Sequence, residues 1–292
     1  MDLFDSEVWL AQNEGTMTVK ELLAQTAQTP KTSRMPALFI GHGSPMHGIE
    51  DTSYAKIWAH IGKTLPTPSA ILVISAHWLT EGTYVHVSEH PRTIHDFFGF
   101  PEELYTLNYP APGSPEFAQA TKTLITDTTV SEDRQWGLDH GAWIVLRRMY
   151  PNANIPTFQL SIDMTKSGAF HYELGKELRA LRNRGVLIIA SGNIVHNLRL
   201  VNFHHNAPGL AWAERFDLVV AEKISVHDHD PLIAYDTLGP DATLSIPTPD
   251  HYFPLLYLLG LQEDGDNVSF PTEGIDLGSI SMRSVLLEST PK

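Results

Sequence analysis

No cysteine occurs among the 292 residues, which excludes disulfides, thiolate zinc sites, iron–sulfur clusters and a cysteine nucleophile together. Any metal must therefore be held by imidazole and oxygen, a donor set that suits iron, manganese or zinc better than copper(I). No stretch approaches the roughly 18 consecutive apolar residues that a membrane helix requires. The opening MDLFDSEVWLAQNEG is acidic and has no basic stretch followed by an apolar one, so no secretory signal is expected. Positive charge is scarce as well: 20 Lys and Arg stand against 34 Asp and Glu, a net charge of −14 with histidine neutral. That balance opposes binding to nucleic acid and to anionic membranes, both of which reward Lys and Arg. A soluble cytoplasmic protein is expected. Absent too are the G-x-S-x-G elbow and the H-E-x-x-H helix, which weakens serine hydrolase and zincin readings.

What the chain does have is a succession of short apolar or β-branched runs bounded by Pro and Gly, as strands are. They begin at Met35 with MPALFI and continue through AILVISA, TYVHVS, PTFQLSI and VLIIASG. Between them the spacing of apolar residues predicts helices over 51–61, 115–125 (with Ser114 as N-cap), 141–150, 168–184 and 212–225. In the last of these Phe216, Val219 and Val220 are read as facing inward. Strands alternating with helices imply an α/β fold, a single domain with a largely parallel central sheet flanked by helices on both faces. Runs such as ILVIS, apolar up to its serine, and VLIIA fit strands covered on both sides. GSISMRSVLLE alternates less cleanly and reads as an edge strand. Residues 1–34 form an N-terminal extension with two short amphipathic helices, ahead of a domain over 35–292.

Four histidines follow or adjoin apolar runs at turn residues: His42 in GHGSP, His77 in SAHW, His196 in ASGNIVHN and His251 in TPDHYFPLL. Imidazole is the commonest metal ligand, and strand ends in open α/β sheets are where ligands bind. Four such placements argue for a metal centre, with an ordinary turn or a phosphate loop as the rival readings of GHGSP. A histidine just past an apolar run, as His77 is, must find a partner. Asn193 is a candidate cap for a helix carrying His196 inward. His140, between Asp139 and Gly141, is an acid/base candidate. IHDFFGFP supplies His95, Asp96 and three phenylalanines, readable as a hydrophobic loop or as a lid over an aromatic substrate. VHDHDP at 226–231 and the pair His204–His205 read as solvated surface turns.

Taken in order, MPALFIGHGSP, SAHW, TIHDFFGFP, YPAPGSP, GLDHGAW, QLSID, ASGNIVHNL, TPDHYFPLLYLLG and GSISMRSV resemble the class III extradiol ring-cleavage dioxygenases of the 4,5-DOPA type. The resemblance spans nearly everything after residue 34. It implies a mononuclear nonhaem metal, a catecholic substrate and O2. On its pattern His42 and His77 match metal-binding histidines, and His251 falls in the C-terminal metal segment. His196 matches a histidine with a metal or an acid/base role, and His140 one in the substrate pocket; His95 and Phe97 are candidate substrate contacts from the lid reading of their loop. The wider class uses two histidines and a carboxylate, whereas this chain offers imidazole at the third place, with Asp250 beside His251. Fe(II) is expected for activity, while so nitrogen-rich a set favours Zn(II) as the bound metal. A zinc-dependent hydrolase on the same histidines, and a non-catalytic binding protein, are the alternatives.

Overall fold

The computed structural model describes residues 34–203 and 207–289. The two helices expected before residue 34, and the pair His204–His205, lie outside the described residues.

Six strands form the central sheet: β1 (Ala37–Gly41), β2 (Ala70–Ser75), β3 (Thr157–Gln159), β4 (Val186–Gly192), β5 (Asp266–Ser269) and β6 (Val285–Ser289). They lie in the order β5-β6-β1-β4-β2-β3. The four strands from β1 to β3 in that order pair in parallel, while β6 and β5 are antiparallel.

Side chains of a strand alternate between its faces, so each apolar run feeds two cores. Ala37, Phe39, Leu72, Ile74, Ile188 and Ala190 enter one core. Leu38, Ile40, Ile71, Val73, Leu187 and Ile189 enter the other. Against the second face pack α1 (Ser53–Thr64), through Trp58 and Ile61, and α3 (His140–Met149), through Trp143 to Leu146. Against the first pack α2 (Pro115–Leu124), α4 (Gly168–Glu177), α5 (Ala211–Ser225) and the wholly buried α6 (Phe253–Leu261). No helix among the described residues is long and apolar enough to cross a membrane.

Several sequence expectations need correction. The helix expected over 168–184 breaks at Leu178, where backbone bonds tighten to Leu178 N–H on Gly175 O and Leu181 N–H on Leu178 O. The short helix Arg179–Arg182 follows, and Leu178 and Leu181 both stay buried. Val219 faces outward, 38% exposed, because Phe216, Val220 and Ile224 already occupy the core-facing stripe. TYVHVS joins Val130–Asp133 in a separate two-stranded pair. β6 is not an edge, since the polar β5 covers it on the far side. Ser114 stands at the cap position of α2 without a side-chain bond to the helix.

Candidate metal centre

Parallel register sets where the site lies. Gly41 pairs with Gly192, and Ser191 with Ser75. The residues that follow β1, β2 and β4 therefore leave the sheet together at its carboxyl end. His42 leaves β1 as its first residue beyond the strand. His77 leaves β2 two residues after its end. His251 arrives by another route: its carbonyl accepts the Asn193 N–H at 2.9 Å, docking the loop before α6 on the end of β4.

At Gly192 a Cβ would stand 2.2 Å from the carbonyl oxygen of His251. Only glycine admits that close approach. His140 opens α3, whose N-cap Asp139 accepts the Ala142 N–H. A small ladder pairs Arg92–Thr93 with Gly137–Leu138 and sets Asp96 beside His140.

The five imidazoles form one cluster. Ring centroids lie 5.1 Å apart for His42 and His77, 5.4 Å for His42 and His251, and 5.0 Å for His77 and His251. His140 lies 3.9 Å from His77 by the same measure. His196 stacks flat on His251, at 3.4 Å and 7°. Ligand atoms of His42, His77 and His140 lie within 4.8 Å of one another, as do those of His196, Asp250 and His251.

In four of these rings an oxygen stands behind Nδ1; for His140 it is Asp96 Oδ2, at 3.1 Å. Ser191 Oγ donates to Gly141 O at 2.6 Å, so its lone pair accepts from His42 Nδ1 at 3.0 Å. Asp96 Oδ2 lies 3.3 Å from His77 Nδ1. Asp250 Oδ2 contacts His251 Nδ1. A ring that donates through Nδ1 keeps its lone pair on Nε2, and an oxygen acceptor behind a ligating imidazole is the usual support of a metal site. The Nε2 atoms of His42 and His77 stand 3.2 Å apart. Two nitrogens each about 2.1 Å from one ion are roughly 3.0–3.4 Å apart, for octahedral to tetrahedral angles. The donor set fits a metal.

Electrostatics agree. Burial, then the neighbouring rings of His251, His140 and His196, hold the His42 pKa well below 6.5. Burial, then His140, does the same for His77. Burial, then His251, pushes His196 down to about 2. Neutral imidazole is the ligating form. Asp96 is lowered, since its contacts with His140 outweigh its burial. Fully buried Asp139 is raised by burial and then by Asp96, against bonds from Ser75 Oγ at 2.6 Å and Gln159 Nε2 at 3.0 Å.

His42, His77, His140, His196 and His251, all singled out in the sequence, thus converge. His95 sits apart, its Nε2 donating to Leu107 O at 3.0 Å. Phe97 touches the site edge-on, 5.6 Å from His140 and perpendicular to it, and packs with Phe100, Tyr105 and Trp143. VHDHDP is a surface turn only at Val226 and His227, the latter at φ 59°; it then enters the short helix Asp230–Ile233, with His229 half-buried and its Nδ1 3.2 Å from the Tyr172 hydroxyl.

The helix expected after Asn193 does not form. His196 N–H bonds to Ser245 O, Ser281 N–H to Val195 O, and His196 bridges Ile280 in extended conformation. These partners, distant in sequence, claim the bonds that a helix would need. Sequence reasoning did not single out Ser191 as a histidine partner, nor Asp96 as the carboxylate between two rings.

Residues 35–282 match the family described as the catalytic LigB subunit of aromatic ring-opening dioxygenase. A 4,5-DOPA dioxygenase extradiol of Escherichia coli K12 is 50% identical over 260 residues, covering 87% of this chain and 95% of its own length. The protein of the same name from Beta vulgaris is 37% identical, covering 86% of this chain and 96% of its own. A crystal structure of an uncharacterized Escherichia coli K12 protein superposes with a TM-score of 0.76 at 46% identity, over 87% of this chain and 99% of that one. With its matched region holding the whole imidazole cluster, this chain belongs to the family of the catalytic LigB subunit of aromatic ring-opening dioxygenases.

Proposed function

We propose that this protein is a metal-dependent extradiol dioxygenase that opens the ring of a DOPA-like catechol with O2, giving a ring-opened semialdehyde. The catalytic domain is residues 35–292, with 1–34 as an extension. One observation carries the reading: the Nε2 atoms of His42 and His77 stand 3.2 Å apart, each ring with an oxygen behind its Nδ1, and His251, His140 and His196 pack around them. The names of the relatives supply the substrate class.

His42, His77 and His251 hold the metal. His196 is better suited to proton transfer than to ligation. Its ring lies flat against His251 at 3.4 Å and 7°, beside the proposed ligand rather than opposite it. Bound Fe(II) would supply a Lewis acid for the two catechol oxygens and a one-electron couple toward O2, which d10 zinc lacks.

The protein's own groups do the rest. Neutral His196 takes the proton of a substrate hydroxyl, as general bases do. His140, with Nδ1 3.1 Å from Asp96 Oδ2, takes the second hydroxyl proton on its free Nε2 and gives it back as the product forms. Phe97, backed by Phe100, Tyr105 and Trp143, walls the His140 side against water, and His95 braces that wall through Leu107.

The test is anaerobic reconstitution with Fe(II) or with Zn(II), followed by a catechol and air. Oxygen uptake and a yellow product are expected with iron alone. Turnover with zinc and no need for oxygen would favour the hydrolase. Bound iron with no oxygen uptake on any catechol would remove the proposal.

A further inference from the structure

Asp96 reaches the site from outside the sheet, in the loop after Arg92–Thr93. The residue as a whole is exposed, yet its side chain keeps only 21% exposure. Its two oxygens have different neighbours. Oδ1 accepts the backbone N–H of His140 at 2.8 Å. Oδ2 lies 3.1 Å from His140 Nδ1 and 3.3 Å from His77 Nδ1. A carboxylate can only accept, so an imidazole that bonds to it does so with its proton on Nδ1 and its lone pair on Nε2. For His77 that lone pair belongs to the atom 3.2 Å from His42 Nε2.

Tethering the loop to α3 needs Oδ1 alone. Oδ2 lies within 3.3 Å of Nδ1 in two rings whose centroids are 3.9 Å apart. Ser191 and Asp250 stand behind His42 and His251; Asp96 serves one proposed ligand and the neighbouring proton carrier at once.

Resting on the metal reading above, we propose that Asp96 is a positioning residue that sets the tautomers of His77 and His140 together, so that one carboxylate both prepares a metal ligand and orients the adjacent acid/base group.

Asp96→Asn separates this from a purely structural role. Asparagine keeps an acceptor for the His140 N–H but presents an NH2 donor where Oδ2 stood. His77 Nδ1 must then accept, and the proton moves to Nε2, the atom the metal needs. In the full-length variant we expect a circular dichroism spectrum and thermal midpoint close to wild type. Zinc affinity, measured by competition with a chromophoric chelator, should fall about 10–100-fold, the usual cost of losing such a partner.

Long-range 1H–15N correlations on the zinc-free proteins should show His77 as the Nδ1–H tautomer in wild type and as Nε2–H in Asp96→Asn. Asp96→Glu, which restores a carboxylate, should recover affinity. Wild-type zinc binding by Asp96→Asn, or Nε2–H at His77 in the wild type, overturns the inference. Should Asp96→Asn fail to fold, the wild-type tautomer and Asp96→Glu decide. A wild type that binds no zinc at all would sink the metal reading, while the tautomer of zinc-free His77 would still decide the role of Asp96.

Discussion

His42 and His77 present their Nε2 atoms to each other across 3.2 Å, although 35 positions separate them and β4 lies between the strands they leave. That intervening strand is what aligns them. Ser191, near its end, accepts a hydrogen bond from His42 Nδ1, and its register with Ser75 levels β2 with β1. Two neutral imidazoles so placed gain little from each other and much from a cation between them.

Removing either ring should therefore empty the site, while removing the proposed proton carriers should not. His42→Ala and His77→Ala are expected to purify without stoichiometric metal. His140→Ala and His196→Ala should retain it and lose about 10²–10⁴-fold in turnover, the range for general acid–base groups. Metal analysis beside oxygen-electrode rates checks this. Equal metal loss in all four variants would show that the roles are assigned wrongly.

A backbone contact should matter as much as a side chain at the end of β4. In Gly192→Ala the new Cβ would meet the His251 carbonyl at 2.2 Å, and backbone cannot swing aside as a flexible side chain does. Overpacking of this kind costs about 1–3 kcal/mol. Denaturant unfolding should show that loss, and zinc affinity should fall with it because His251 must retreat.

The strands and the imidazoles at their ends were legible because both signals are local: a two-sided strand reads as an unbroken apolar run, and it stops at a turn residue followed by histidine. The second set of partners was not. Ser191 reads as a turn residue beside Gly192, and Asp96 as part of a phenylalanine-rich loop. Their roles come from pairings across 149 and 44 positions, which no window of sequence displays. The same limit explains the helix wrongly expected after Asn193, whose backbone bonds go to Ser245 and Ser281, and the missed strand β5, whose residues Asp266–Ser269 carry one apolar side chain in four.

Arg182 should contribute heavily to stability although it is far from the chemistry. It is fully buried, donates to Met35 O and Leu261 O, and grips both oxygens of Asp266 at 2.6 and 3.0 Å. Arg182→Met would leave a buried carboxylate with Arg34, at 2.6 Å, and the Glu263 N–H, at 3.0 Å. Removing one partner of a buried pair costs about 3–5 kcal/mol, and unfolding by urea at pH 7 should approach that range. Burial raises the Asp266 pKa, but its bonds from Arg182 outweigh it and the net shift is downward. The pair's contribution is thus present above the unfolded value of about 3.9 and lost as pH falls below it, so the gap between variant and wild type should narrow at pH 3.

His171 should make the protein acid-labile at higher pH than its carboxylates do. The ring is fully buried, with Nδ1 3.0 Å from the Tyr257 hydroxyl and its face 4.3 Å from Phe253. Burial pushes its pKa from 6.5 down to about 4, against a smaller raising effect of Asp163. Between those two values the unfolded chain binds a proton that the folded one refuses. Stability is therefore complete above about 6.5 and drains away as pH falls toward 4, by up to about 3 kcal/mol for this one group. His171→Gln keeps a polar partner for Tyr257 and has nothing to protonate. Whatever its absolute stability, its unfolding free energy should fall less steeply across that interval than wild type's, and equal slopes would mean that His171 is protonated in the folded state too.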